Sequence, residues 1–245
     1  MSVTSKLYEG KAKILYTTDL PEILLADFKD DATAFNAQKR GSINNKGAIN
    51  CSISSKLFQQ LEEKGINTHY IDSPKPNQMR VKAVKIFPLE VVARNLAAGS
   101  LCKQTGIGLG TVLKQPLVEF YYKNDELGDP LLTRERLRLL ELASEEQLEQ
   151  IIHLTLRINE FLKEFFQKCS IILVDFKLEF GLDSQQQIVL ADEISPDTCR
   201  LWDTATNDVK NRVLDKDRFR QDLGNVENAY QEVLERVLKT VETNL

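Results

Sequence analysis

The first part of the chain alternates apolar and polar side chains in a pattern that is typical of β-strands. Residues 6–10 and 11–18 follow this alternation and predict a hairpin, with Gly10 near its turn. Residues 22–28 predict a third strand. The chain is therefore expected to begin with a β-sheet.

Several later segments carry apolar residues every three or four positions, which is the period of an α-helix. A helix is predicted from about residue 45 to residue 64, with Gly65 as its stop. Two more helices are predicted near 133–140 and 144–168, and the last one at about 225–242. Strands thus dominate the start of the chain, and a helix ends it.

Further strands are predicted in the middle and in the last third of the chain. Pro88 lies where two of them meet, so it predicts a connection between an N-terminal lobe, residues 1–87, and a larger C-terminal lobe, residues 88–245. These further strands are predicted at 68–72, 79–87, 89–95, 116–122, 171–181 and 187–194.

The strand predicted at 171–181 changes character along its length. It begins with an apolar run, after which Asp175, Lys177 and Glu179 alternate with two phenylalanines and a leucine. In a strand this spacing places the three charges on one face and the apolar side chains on the other. A solvated outer face would explain the alternation equally well on its own.

The strand that follows the loop LDSQQQ gives this charged face a partner. If the turn centres between Gln185 and Gln186, Glu179 lies opposite Asp192, with Cβ atoms about 4.5–5.5 Å apart. Two carboxylates at that distance repel each other, and a divalent cation between them removes the repulsion. The hairpin therefore predicts a magnesium site at Glu179 and Asp192, with Lys177 available for a phosphate or a carboxylate of the ligand.

Other stretches carry residues that are suited to binding anions. Lys11 and Lys13 share one strand face, although two solvated lysines are the simpler explanation there. Arg94 precedes a turn of small residues, and Ser100 is predicted to cap a short helix that begins at Leu101. A helix N-terminus beside an arginine is a phosphate site.

The segment DEISPDTCRLWD places two more charged residues in a proline-containing turn directly after Asp192. Arg200 can present a planar fork to a phosphate or a carboxylate, and Asp197 can accept hydrogen bonds from sugar hydroxyls or amines. Trp202 is predicted to be a packing anchor.

Composition restricts the possible classes of function. The net charge of −4 does not suggest a surface that coats nucleic acid. The four cysteines form no CxxC pair and there are two histidines, so a bound metal would be held by carboxylates, which favours a hard cation such as Mg²⁺. No apolar run approaches the roughly 20 residues that span a bilayer, and a cytoplasmic protein is expected.

Six sequence blocks are spread over nearly the whole chain: YEGKAK, NKGAIN, IFPLEVVARNLAAGS, LVDFKLEFG, LADEISPDTCRLWD and DKDRFRQDLG. In this order they resemble the SAICAR synthetase family of purine (IMP) biosynthesis. The resemblance implies an α/β (α+β) fold of two lobes that is similar to ATP-grasp ligases, with antiparallel sheets and a kinase-like nucleotide site. Asn36 stands where some relatives carry aspartate.

The resemblance also implies the reaction, which is the ATP-dependent ligation of L-aspartate to a carboxylated aminoimidazole ribonucleotide. The products would be SAICAR, ADP and phosphate, with an acyl phosphate as the intermediate and Mg²⁺ as the metal. The implied partners are small molecules, without nucleic acid or membrane, and the protein would be a homo-oligomer, a dimer in the simplest case. A small-molecule kinase and a nucleotide-binding regulatory module remain as alternatives.

Roles for individual residues follow from the same resemblance. ATP contacts are implied for Lys11, Lys13, Lys82, Val84, Ile86 and Lys123, and magnesium ligation at the ATP phosphates for Glu179 and Asp192. Binding of the imidazole ribonucleotide is implied for Arg94, Ser100, Asp197, Arg200 and Arg220. Lys177 and Asp175 would lie beside the reacting carboxylate, with Asp175 as the base that takes a proton from the amine of aspartate.

Overall fold

The computed structural model describes residues 2–34 and 38–243, and Asn36 lies outside these described residues. The strands are β1 (Val3–Glu9), β2 (Lys13–Thr18), β3 (Ile23–Phe28), β4 (Asp31–Ala34), β5 (Lys39–Ser42), β6 (Tyr70–Lys75), β7 (Gln78–Lys82), β8 (Lys85–Ile86), β9 (Leu89–Leu96), β10 (Val112–Tyr122), β11 (Leu131–Leu132), β12 (Ile171–Leu182), β13 (Ile188–Ala191) and β14 (Cys199–Asp203). The helices are α1 (Lys46–Glu63), α2 (Gly99–Thr105), α3 (Arg134–Leu139), α4 (Glu145–Lys168), α5 (Asp217–Arg220) and α6 (Val226–Thr243). None of these helices is long and apolar enough to cross a membrane.

Most of the strands belong to two antiparallel sheets. The first sheet has the order β1-β2-β3-β7-β6, and the second has the order β11-β10-β9-β12-β13. β14 and β8 also pair with β12, whereas β4 and β5 form a separate hairpin. β12 therefore pairs with four strands, with β14 along its first half, with β9 across its middle, and with β13 and β8 along its second half.

The apolar face of β12 lies in the main hydrophobic core, which extends across both sheets and helices α1, α4 and α6. Its side chains Phe176, Leu178 and Phe180 are each 1% exposed. Helix α4 packs against this strand. It begins with a capping box, because the Ser144 side chain accepts a hydrogen bond from the Gln147 backbone and the Gln147 side chain accepts one from the Ser144 backbone.

The main strands and helices that the pattern predicts are present, with ends that differ by a few residues. The mixed α/β fold class with antiparallel sheets is confirmed. The pattern does not reveal the β4–β5 hairpin, β14 or α5, and it predicts a turn at Arg200, which lies on β14. A strand of five residues that closely follows a proline-containing turn is too short to show a clear alternation.

The turn between β12 and β13 is centred on Gln185 rather than between Gln185 and Gln186, where the sequence predicts it. Glu179 pairs with Ala191 rather than with Asp192. Asp183 and Gln187 close the turn, and Gln186 has a φ of 61° in the left-handed region. A three-residue hairpin loop whose last residue is left-handed is a common type. A loop with an odd number of residues shifts the strand pairing by one position from the predicted pairing, so the predicted register is wrong.

His69 provides a test of the packing of the hydrophobic core. The imidazole is buried edge-on against the Phe58 ring, at a centroid distance of 5.4 Å. Burial, with a smaller contribution from Lys13, lowers the pKa of His69 to about 3. The unfolded chain takes up a proton near pH 6.5, whereas the folded chain does not, so protonation favours unfolding as the pH falls from 6.5 towards 3.

We expect the free energy of unfolding of the wild-type protein to fall as the pH is lowered from 6 to 4. Its slope should exceed that of His69→Asn by about 1.4 kcal/mol per pH unit. Urea unfolding at several pH values measures this difference. The control is His153→Asn, at the exposed histidine of α4, which should keep the wild-type pH dependence. Parallel curves for the wild-type protein and His69→Asn would show that His69 is not held neutral.

Candidate active site

A cleft of about 1130 Å³ lies between the β1–β2 hairpin and the charged face of β12. Asp175, Lys177 and Glu179 of β12 all line it. Asp175 and Glu179 are each only 3% exposed, so their negative charges require partners inside the protein. The partners are arranged in two rows of alternating charge.

The first row, which we call the lysine row, consists of Lys13, Asp192, Lys177, Glu179 and Lys123 in this order. The Nζ atom of Lys177 lies between the two carboxylates, 2.7 Å from Glu179 and 3.1 Å from Asp192. Lys13 Nζ lies 2.5 Å from Asp192, and Lys123 Nζ lies 2.5 Å from Glu179. The row brings together one residue of the first sheet and four of the second sheet and its adjoining segments.

Asp192 and Lys177 of the row are both held in their charged forms. Burial opposes ionisation of Asp192, but Lys13 and Lys177 outweigh it and hold the pKa of this carboxyl far below its usual value. Burial likewise opposes the charge on Lys177, yet Asp192 and Glu179 raise the pKa of this amine well above its usual value. Lys177 is therefore an ammonium group that can stabilise negative charge, and it cannot act as a base at neutral pH.

Asp192 reaches the row although its predicted strand register is wrong. It directly follows β13, and its backbone has a φ of 62°. This left-handed conformation ends the strand alternation, so the side-chain direction is no longer fixed by the pairing of Ala191 with Glu179. The structure thus brings Glu179 and Asp192 to the same lysine by a different route from the one that the sequence suggests.

The second row lines the part of the cleft next to β14 and α5. It links three arginines that the sequence predicts as substrate contacts through acidic side chains, each of which contacts its neighbours in the row. We call it the arginine row, and its members in order are Glu119, Arg94, Asp175, Arg200, Asp217 and Arg220.

Arg94 is fixed at all three nitrogens of its guanidinium group. Its Nε donates to Glu119 at 2.7 Å and its Nη1 to Asp175 at 2.7 Å. Its Nη2 donates to the Ser100 hydroxyl at 2.9 Å and to the Tyr121 hydroxyl at 3.1 Å. Ser100 does not cap α2 as the sequence predicts, because the helix begins at Gly99 and has no side-chain cap.

Arg200 is held between two acids and a glycine. Its Nη1 lies 2.8 Å from Asp175, and its Nε lies 2.8 Å from Asp217, which also contacts Arg220 at 2.5 Å. A Cβ atom at Gly99 would lie 2.5 Å from Arg200 Nη2, and Gly99 has a φ of 55°. Only glycine allows the guanidinium group to approach this backbone closely without strain.

Asp175 connects the two arginines of the row that come from the second sheet. One of its oxygens accepts from both Arg94 and Arg200, and the other accepts from Arg200 at 3.0 Å. These contacts fix the positions of the two guanidinium groups relative to each other. The role of Asp175 as a base stays a prediction.

Asp197 lines the cleft but is bound mainly by other protein groups. One of its oxygens lies 2.9 Å from Lys46 Nζ, and the other accepts from the Tyr230 hydroxyl at 2.7 Å. Lys216 lies 3.7 Å away and also lines the cleft. Burial lowers the pKa of the Lys216 amine. The sequence analysis did not single out Lys46 or Lys216, although both lie in blocks that carry the family resemblance.

The predicted ATP contacts are only partly brought together. Lys11 and Ile86 line the cleft with Lys13 and Lys123, and Lys11 Nζ lies 2.6 Å from Asp125. Two of the predicted contacts lie outside its lining. They are Lys82, which donates to the Thr68 carbonyl at 3.0 Å, and Val84, which packs on Gly181.

Residues 6–237 match the model of the SAICAR synthetase family. A relative from Nostoc punctiforme, named phosphoribosylaminoimidazole-succinocarboxamide synthase, is 78% identical over 243 residues, which are 99% of each chain. A solved structure of the synthase of that name from Ehrlichia chaffeensis is 48% identical, with a TM-score of 0.91 over 95% of this chain and 98% of the other. A SAICAR synthetase solved in complex with ADP is 47% identical, with a TM-score of 0.90 over 94% and 96% of the two chains. The chain belongs to the SAICAR synthetase family.

Proposed function

We propose that the protein joins L-aspartate to 5-amino-1-(5-phosphoribosyl)imidazole-4-carboxylate at the expense of ATP, releasing SAICAR, ADP and phosphate. Membership of the family makes the chain a ligase of purine biosynthesis. The observation that carries the proposed substrates is the presence of two different anion-binding rows in one cleft. The relative solved with ADP supports the choice of nucleotide.

We assign the lysine row to the phosphates of ATP and to Mg²⁺. Among the described residues no group of three or more acidic, histidine or cysteine side chains could hold a metal by itself. The fit of Glu179 and Asp192 to Mg²⁺ is supported by the Lys177 ammonium group, a cation that these two carboxylates hold between them. Mg²⁺ is commonly held by one or two carboxylates together with phosphate oxygens, and it would neutralise charge on the transferred phosphoryl group.

We assign the arginine row to the imidazole ribonucleotide, which carries a phosphate and a carboxylate. A guanidinium group binds such anions through two parallel hydrogen bonds, and this requires a fixed plane. Glu119, Asp175 and Asp217 fix the planes of Arg94 and Arg200 before any ligand binds. Ordering of these side chains therefore does not have to occur during binding.

The order of the chemical steps follows from the poor reactivity of a carboxylate with an amine. Transfer of the γ-phosphoryl group to the substrate carboxylate gives an acyl phosphate, whose leaving group is phosphate. The amine of aspartate then attacks the acyl carbon, the new C–N bond forms and the C–O bond to phosphate breaks. The amine nitrogen loses a proton in this step, and Asp175 is the proposed base. Lys177 remains an ammonium group in this scheme and stabilises the negative charge of the oxygens at the reacting centre.

The requirement for aspartate separates a ligase from the alternatives. With ATP, Mg²⁺ and the carboxylated imidazole ribonucleotide present, addition of L-aspartate should start steady ADP release, with one amide product for each ADP. L-Alanine is the control and should not replace aspartate. ADP release in many turnovers without aspartate would indicate a kinase, and ATP binding without any turnover would indicate a regulatory module.

Loss of one carboxylate of the lysine row should impair phosphoryl transfer. We expect Glu179→Gln to lower turnover by at least about a hundredfold, because both charges are needed to hold the metal. The change keeps the side-chain shape, and thermal unfolding should verify that the variant is folded. Glu164→Gln, at an exposed position of α4, is the control for the loss of charge. Wild-type turnover with wild-type magnesium dependence in Glu179→Gln would refute the metal assignment.

Replacement of one arginine should affect one substrate more than the other. Arg200→Lys keeps the charge, but a single nitrogen cannot donate to both Asp175 and Asp217 and also present a fork to the ligand. We expect the KM for the imidazole ribonucleotide to rise at least about tenfold, with a much smaller change in the KM for ATP. Arg134→Lys, at a partly exposed position of α3, is the control. Equal changes in both constants would place Arg200 outside the ribonucleotide site.

A further inference from the structure

Two lysines of the lysine row each contact a carboxylate that lies outside the row. Lys13 Nζ lies 3.0 Å from Glu193, and Lys177 Nζ lies 3.4 Å from Glu90. Both carboxylates line the cleft. Neither belongs to the proposed metal pair, so each lysine has one acidic partner outside that pair, in addition to Asp192 for Lys13 and to both Glu179 and Asp192 for Lys177.

Glu193 is firmly held in its position. Its side chain is 3% exposed, and it accepts a hydrogen bond from the Ser195 hydroxyl at 2.7 Å. Glu90 is less buried, with 25% of its side chain exposed, and it lies on β9, which pairs with β12. The two carboxylates thus approach the lysine row from different elements of the fold, Glu193 from the segment after β13 and Glu90 from the sheet.

The two outer carboxylates reverse the sign of the charge near the metal position. The lysine row contains three ammonium groups and two carboxylates, which gives a net charge of +1. Glu90 and Glu193 change this charge to −1. A site of net charge −1 attracts a divalent cation and repels a free nucleotide phosphate, whereas a site of net charge +1 does the opposite.

We propose that Glu90 and Glu193 are positioning residues that retain Lys177 and Lys13 at the phosphate site when Mg²⁺ binds. This inference rests on the proposed function. Mg²⁺ and the two ammonium groups compete for the same oxygens of Glu179 and Asp192. The outer carboxylates provide each lysine with a partner that does not bind the metal, and they make the site select the magnesium complex of the nucleotide over the free nucleotide.

Calorimetric titration with ADP tests the proposal without any turnover. Each protein is titrated in the presence of Mg²⁺ and again in the presence of a chelator. The quantity compared between proteins is the Kd for ADP with the chelator divided by the Kd for ADP with Mg²⁺. In Glu193→Gln and in Glu90→Gln we expect free ADP to bind more tightly and the magnesium complex to gain nothing. The ratio should therefore fall about tenfold relative to the wild-type protein. Glu164→Gln should retain the wild-type ratio.

The two variants keep the test decisive if one of them is unstable. Glu193→Gln alters a buried residue, whereas Glu90→Gln alters a partly exposed one, and thermal unfolding identifies which variants are folded. A wild-type ratio in the folded variants would overturn the inference and leave the proposed function standing. A rise of both dissociation constants by the same factor would indicate a merely structural role and would also overturn the inference. Failure of the wild-type protein to bind ADP under either condition would overturn both proposals.

Discussion

A buried charged face on β12 is the constraint on which the rest of the site depends. An unpaired charge in such a position costs several kcal/mol, and Asp175 and Glu179 are almost inaccessible to solvent. The strand is paired with β14 in its first half, with β9 across its middle, and with β13 and β8 in its second half. Two of these neighbours, β9 and β14, provide the arginines that pair with Asp175.

The same strand fixes the distance between the two anion-binding rows. Asp175 belongs to the arginine row and Lys177 to the lysine row, and alternate residues of a strand are about 6.6 Å apart on one face. The Lys177 ammonium group therefore lies one strand period from the carboxylate that holds Arg94 and Arg200. Phe176, which lies between Asp175 and Lys177, anchors this part of the strand in the core. Close placement of two reactants is a large part of what a ligase must provide.

The site contains more acidic side chains than the proposed reaction uses. Their contacts explain why they are there. Glu119 and Asp217 contact arginines rather than open solvent, and Glu90 and Glu193 contact lysines. Each cation in the cleft centre thus has a protein partner that sets its direction. Such preorganisation lowers the cost of ordering long, flexible side chains around a highly charged substrate.

Local patterns in the sequence determine the elements of the fold and the chemistry of the site. The alternation in β12, the helical period in α4 and the stop at Gly65 are all properties of neighbouring residues, so they can be recognised without the fold. The charged face at Asp175, Lys177 and Glu179 is visible for the same reason. The six sequence blocks identify the family, because long matched segments do not depend on knowledge of any contact.

Only the tertiary structure decides which charge meets which. The pairing of Asp175 with Arg94 joins residues that are 81 positions apart, and that of Lys13 with Asp192 joins residues 179 apart. The turn centred on Gln185 moves Asp192 out of the predicted register, and a left-handed backbone conformation brings it back to Lys177. Partner choice depends on the geometry of several elements at once, whereas a sequence pattern records only the preferences of one element. The sequence by itself therefore determined that this protein carries a charged strand suited to phosphate chemistry, and the packing of four other strands around it determined how each charge is used.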